Sequence, residues 1–159
     1  MAKLLIQREH KESIDGRDRV TIEEKIYFVT DVNRDFMTPN GSVKKADLQQ
    51  ADGTIVKTNT GKELILIEAD FADQFAHIRK LPQTVMPKDI GLIIAMTGVG
   101  PDTMVLDAGA GSGALAAGLA RVAKHVTTYE MRDDFIENIK KNFEHLGLKN
   151  VTLKHADIT

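Results

Sequence analysis

Val105-Leu106-Asp107-Ala108-Gly109-Ala110-Gly111-Ser112-Gly113 is the stretch on which the reading of this chain turns. With Thr103 and Met104 ahead of it, it opens as a short apolar run ending in a turn, the pattern of a strand covered on both faces. The glycines at 109, 111 and 113 remove Cβ atoms where a strand must turn sharply and let a ligand approach the backbone. From Ala114, the apolar positions Leu115, Leu119 and Val122 recur at helical spacing, up to about Lys124. The helix therefore begins inside the glycine turn, with its free amide groups aimed at whatever occupies it.

Downstream the pattern repeats. A second strand is predicted over His125–Tyr129, ending at Glu130. A helix over Asp133–Leu146 turns Phe135, Ile139, Phe143 and Leu146 inward and closes at Gly147. A third strand, Val151–His155, ends at Asp157. The order β-α-β-α-β predicts a parallel, right-handed, doubly wound sheet over residues 102–159. Upstream, residues 69–101 read as linker helices. Asp70 stands as an N-cap with Phe71, Phe75 and Ile78 on one face, and this helix stops before Pro82. Gln83–Met86 is expected to be extended, because Pro87 disfavours helix at the preceding residue. The next helix, Lys88 to about Met96, is almost wholly apolar through Ile90, Leu92, Ile93 and Ile94, which predicts burial against a sheet.

Residues 1–68 carry β signals. Ala2–Ile6 and Lys25–Thr30 read as strands, with a turn at Asp15-Gly16 between them. Pro39 and Asn40-Gly41 mark another turn, and Ser42 is placed to cap a short helical turn over Lys44–Leu48. Gly53–Thr58 and Glu63–Glu68, with Gly61 between, read as a hairpin. A small β-barrel-like or open-sheet domain follows from these short strands. The fold class is thus α/β: a small N-terminal β domain, then an incomplete doubly wound, Rossmann-like domain.

Composition excludes several classes. The 159 residues are 42% hydrophobic, enough for one or two small cores, and contain no cysteine, so disulfides, thiol catalysis and thiolate metal binding are ruled out. The five histidines have no metal-ligand spacing, and no metal is assigned. The net charge of −2 is evenly spread and names no partner. No apolar run approaches the ~20 residues that span a bilayer, and the first ten residues lack a secretory pattern, so the expectation is a cytoplasmic protein with no membrane role.

The chemistry lies in three acids, Asp107, Glu130 and Asp157, at the carboxyl ends of three successive parallel strands, where such sheets bind ligands. Glu130 falls at the spacing where a carboxylate meets the two hydroxyls of a ribose. Gly109-x-Gly111-x-x-Ala114 satisfies the loose dinucleotide fingerprint, so an NAD or FAD domain has to be weighed. Asp107 decides against it, because a carboxylate two residues before the first glycine repels a pyrophosphate and attracts an ammonium. S-adenosylmethionine carries an ammonium and a sulfonium but no phosphate, and Asp157 is placed to accept from its adenine amine. The candidate cofactor residues are Asp107, Gly109, Ala110, Gly111, Ser112, Gly113, Glu130, Met131 and Asp157. For Ser112, helix capping competes with ligand contact. For His77, Arg79 and Lys80, a solvated helix face is favoured over contact with RNA phosphate.

Asp107-x-Gly109-x-Gly111-x-Gly113 resembles the first motif of class I S-adenosylmethionine-dependent methyltransferases, with Glu130 and Asp157 matching their later acidic positions. Gln83-Thr84-Val85-Met86-Pro87-Lys88-Asp89 before the motif, and Gly41-Ser42-Val43 with the hairpin ahead of it, resemble the bacterial and archaeal tRNA adenine-N1 methyltransferases. The resemblance runs over most of residues 40–159. It departs at Asp107, where many members have Glu, and at Met86, where an aromatic is frequent. It implies S-adenosylmethionine as cofactor, methylation of N1 of a T-loop adenine in tRNA, and a homo-oligomer as the full-length assembly. It also implies a place in the cofactor pocket for Gln83, Thr84 and Lys88, with which a plain loop and helix start compete equally. It also implies a further catalytic half beyond Thr159, so a truncated chain is expected, with its catalytic residues outside the sequence. The alternatives are a class I methyltransferase for a protein or small molecule, and a non-catalytic subunit that keeps the cofactor fold for binding.

Overall fold

A computed structural model describes residues 2–15 and 17–159, which form two compact units, 1–72 and 73–159. Gly16, half of the expected Asp15-Gly16 turn, lies outside the described residues.

In the first unit, β1 (Lys3–Gln7) is central because both of its faces are apolar. It pairs antiparallel with β4 (Lys25–Val29) on one side and with β8 (Glu63–Glu68) on the other, and β8 carries β7 (Ile55–Lys57) at the far edge. The sheet has two ends, β4 and β7, so the architecture is open. Alternate side chains make the core: Leu5, Val29, Leu64 and Leu66 pack with Val43, Leu48 and Val56 on one face, while Leu4, Ala2 and Ala69 cluster on the other. The hairpin β7–β8 forms as the sequence predicts, with Gly61 at φ 85° in its turn. Pro39-Asn40 is also a turn, and it joins two short strands, β5 (Phe36–Thr38) and β6 (Gly41–Val43).

Two features differ from expectation. The antiparallel ribbon of β2 (His10–Ile14) and β3 (Arg17–Ile22) has no buried residue among its described side chains to announce it: β3 is exposed from Arg17 to Thr21. Helix α1 (Lys45–Leu48) is not capped by Ser42. The Asp35 carboxylate takes that place from ten residues upstream, accepting the Lys45 amide at 2.9 Å and the Lys44 ammonium at 2.8 Å. These two bonds hold the Asp35 carboxyl below the usual carboxylate range, the ammonium contact contributing most.

The chain passes into the second unit within α2 (Phe71–Ala76), which ends well short of Pro82. Gln83 is not extended but sits in a turn at φ 63°, whereas Met86 before Pro87 is extended, as the ring of a following proline requires. Pro87 then opens α3 (Pro87–Thr97) as its first residue. Strand β9 (Met104–Ala108), helix α4 (Ala114–Ala120), strand β10 (His125–Glu130), helix α5 (Asp133–His145) and strand β11 (Val151–His155) follow in the predicted order. All three strands are parallel, in the spatial order β11-β10-β9.

Packing explains where the boundaries fall. Helix α4 is made of small residues and is buried nearly all round. It stops at Ala120, before the expected Lys124, where the Asn150 amide donates to the carbonyls of Ala120 and Ala123. A Cβ on Gly118 would stand 2.6 Å from Ile90, so α3 seats that side chain directly on the α4 backbone. Burial of α3 against a sheet is not what the structure shows. Ile90 is its buried residue, while Leu92 is 58% and Met96 79% exposed. The same holds for β9, expected to be covered on both faces: Met104 and Leu106 are exposed, because α4 and α5 pack chiefly on β10 and β11 and leave that face of β9 bare.

Candidate functional site

The carboxyl ends of β9, β10 and β11 bring the three acids to one rim of the sheet. Asp107 lies directly across from Thr128, whose wholly buried hydroxyl donates to Oδ2 at 2.7 Å. That bond fixes the carboxylate, and its other oxygen, Oδ1, has no partner among the described residues.

Glu130 is more deeply committed. It is 5% exposed, and its two oxygens accept different backbone amides: Gly111 at 2.9 Å and Arg132 at 3.0 Å. One carboxylate thus ties the glycine turn to the start of the loop before α5. Each oxygen keeps a second acceptor direction, so the acid can still take two hydroxyl donors. The turn is also tied to β10 through its backbone, because the amides of Gly109 and Ala110 both donate to the Tyr129 carbonyl at 2.9 Å.

The three glycines turn out to serve two purposes. Each has a positive φ, of 80°, 59° and 78° at 109, 111 and 113. At Gly113 a Cβ would also strike the Phe143 ring at 2.7 Å, so packing alone demands glycine there. Above Gly109 a Cβ would meet nothing within 4 Å, and above Gly111 it would meet a backbone oxygen at 3.9 Å. The turn is therefore sealed toward α5 and open at its first two glycines.

Ser112 is buried and does not cap α4, whose N-cap is Gly113 with no side-chain bond. Its carbonyl accepts from the Asn142 amide at 2.8 Å, and its hydroxyl lies 3.1 Å from that of Thr84. Thr84 is itself held in a turn with Leu81. That contact joins the Gln83-Thr84 segment to the glycine turn. Lys88, in contrast, is exposed and paired with Asp89. Met131 follows Glu130 with 67% of its surface exposed, a bare apolar patch on the rim. Asp157 lies beyond β11, one residue after Ala156, whose amide donates to the Glu130 carbonyl at 3.1 Å. The backbone amide and then the hydroxyl of Thr159 hold its carboxyl below the ordinary range.

Asp107, held by Thr128, and Glu130, bonded to the turn, thus stand on neighbouring strands at the same end of the sheet, with Met131 next in the chain after Glu130, Gln83 beside the Thr84 that reaches Ser112, and Asp157 just beyond β11. Sequence reasoning missed Thr128 and Asn142. Thr128 leaves little trace, since the buried face of β10 is Val126, Thr128 and Glu130; Asn138 and Asn142 leave more, as polar residues one turn apart on the buried face of α5 with Ile139 and Phe143.

Residues 84–159 match the model of the ribosomal RNA adenine dimethylase family. A tRNA (adenine(57)-N(1)/adenine(58)-N(1))-methyltransferase of Methanocaldococcus jannaschii is 33% identical over 115 residues, 70% of this chain and 40% of that protein. A protein-L-isoaspartate O-methyltransferase of Petrotoga mobilis is 36% identical over 78 residues, 48% of this chain and 37% of that protein. The crystal structure of an S-adenosylmethionine-dependent O-methyltransferase of Thermotoga maritima matches with a TM-score of 0.74 at 26% identity, over 98% of this chain and 56% of that one. The chain thus resembles class I S-adenosylmethionine-dependent methyltransferases and has their Rossmann-like architecture, while spanning about two fifths of the length of the curated relatives it matches.

Proposed function

We propose that the rim formed by Asp107, Glu130 and the glycine turn holds S-adenosylmethionine, and that the methyl group goes to N1 of an adenine in tRNA. The observation that carries the cofactor reading is the placing of a fixed carboxylate, Asp107, just before a turn open at Gly109 and Gly111. Such a site suits a ligand with a cationic head and no phosphate. In this reading Asp107 receives the ammonium, Glu130 the ribose hydroxyls through its spare acceptor directions, and Asp157 the adenine amine. Met131 gives the adenine an apolar wall. Ala110, Gly111, Ser112 and Gly113 contour the backbone under the ligand, and Gln83 borders it from the linker. When bound, the cofactor supplies a methyl group activated by its sulfonium. The residues described here bind and orient it, and Thr128 keeps the Asp107 carboxylate from swinging away. The tRNA assignment is supported by the similarity to the Methanocaldococcus jannaschii enzyme, which is the longest of the sequence matches above. Homo-oligomeric assembly and a cytoplasmic location belong to the same reading.

Calorimetry with S-adenosylmethionine tests the site. Asp107→Ala is expected to weaken binding by roughly 1–3 kcal/mol, the loss of a charge-assisted hydrogen bond. Unchanged affinity in Asp107→Ala and Glu130→Ala together would show the rim to be misassigned. The substrate is tested by transfer of a labelled methyl group from the cofactor to an unmodified tRNA transcript. A second reading, methyl transfer to a protein, is favoured by the similarity to the isoaspartate methyltransferase and predicts label in peptide with none in tRNA.

A further inference from the structure

Arg79 stands on no helix, since α2 ends at Ala76 and α3 begins at Pro87. Its backbone is nevertheless among the most firmly held in the unit. The Arg79 amide donates to Asn142 Oδ1 at 2.9 Å. Its carbonyl accepts from the Asn142 amide nitrogen at 3.0 Å and from that of Asn138 at 3.1 Å. The Asn142 carboxamide thus pairs with Arg79 on both its donor and its acceptor sides, as a neighbouring strand would. The same Asn142 nitrogen also donates to the Ser112 carbonyl at 2.8 Å. One buried amide group therefore locks Arg79 beside the glycine turn.

This mount is expensive. Asn138 and Asn142 are 5% and 4% exposed, and Asn138 Oδ1 is buried with no hydrogen-bond partner. A buried acceptor left without a donor costs about 1–3 kcal/mol, which an apolar residue at 138 would avoid. The outlay secures a backbone whose side chain is exposed. Arg79 and Lys80 are both exposed and make no ion pair among the described residues. A guanidinium fork on a fixed backbone loses less freedom on binding than one on a mobile loop, and its geometry matches the oxygens of a phosphate.

We propose that Arg79, with Lys80 next to it, is a preset anchor for the phosphate backbone of the nucleic-acid substrate, held in place against the cofactor turn by Asn138 and Asn142. The inference rests on the tRNA reading above and assigns part of that substrate's binding to residues outside the cofactor rim.

The test is the salt dependence of binding an unmodified tRNA transcript, compared between the protein, Arg79→Gln and Arg79→Lys. Gln keeps every backbone bond of position 79, so thermal unfolding and S-adenosylmethionine affinity should not move. Arg79→Gln is expected to weaken tRNA binding roughly three- to ten-fold and to lower the slope of log affinity against log salt by about one. Arg79→Lys should restore the slope while recovering part of the affinity. Wild-type binding with an unchanged slope in Arg79→Gln would overturn the anchor and leave the tRNA reading standing. No measurable tRNA binding by the wild type would overturn both.

Discussion

Strands β9 and β10 run side by side and in parallel, and they are built in opposite ways. β9 is the more apolar in sequence, Met-Val-Leu-Asp-Ala, yet Met104 is 64% and Leu106 62% exposed. β10 reads His-Val-Thr-Thr-Tyr-Glu, and in it Val126 and Thr128 are fully buried and Glu130 nearly so. The difference lies in neighbours. β10 is paired on both edges and covered by α4 and α5, whereas β9 is paired on one edge alone. Burial follows the elements that stand beside a strand, not the apolarity of its own sequence. The candidate site draws on both strands: β9 supplies Asp107, and β10 supplies the buried Thr128 that holds it.

The contrast should be visible in stability. Its most drastic disruption is Gly113→Ala, which puts a Cβ into Phe143 on the side where α5 covers the sheet, at a φ that alanine resists. A loss of about 3 kcal/mol in urea unfolding is expected, with a change under ~1 kcal/mol showing that the turn can relax away from α5. Val126→Ala, in the buried middle strand, should cost about 2 kcal/mol. Thr128→Val keeps shape and burial but takes the proton donor from Asp107, for about 1 kcal/mol by the same measurement. Leu106→Ala deletes more apolar surface than Val126→Ala, and it should change stability by less than about 0.5 kcal/mol. If Leu106→Ala proves as costly as Val126→Ala, then β9 is covered in solution by something and the comparison fails.

The same logic explains what was legible in the sequence. The β-α-β-α-β order was readable because each element announces itself locally: Phe135, Ile139 and Phe143 at helical spacing, glycines at 109, 111 and 113, and an acid closing each strand. Asp107 and Glu130 were legible for that reason. What they hold was not. Glu130 bonds to Gly111 and Asp107 to Thr128 because parallel strands bring positions about twenty residues apart into register, and local spacing carries no trace of register. The burial of α3 was misjudged because an apolar run states what a helix can cover, not which elements stand beside it. The β2–β3 ribbon escaped because His10–Ser13 and Arg17–Thr21 are exposed, and an exposed run has no hydrophobic period. Asp35 as the cap of α1 escaped because a cap is sought next to its helix and here arrives from ten residues away.

Ile90 and Gly118 carry one more consequence. Gly118 is the one glycine within α4, and Ile90 is the buried residue of α3. The contact works as a latch, with the Ile90 side chain as the tooth and the bare backbone of Gly118 as the notch. A side chain as small as alanine at position 118 would fill the notch, so Ile90 would have to shift before α3 could seat.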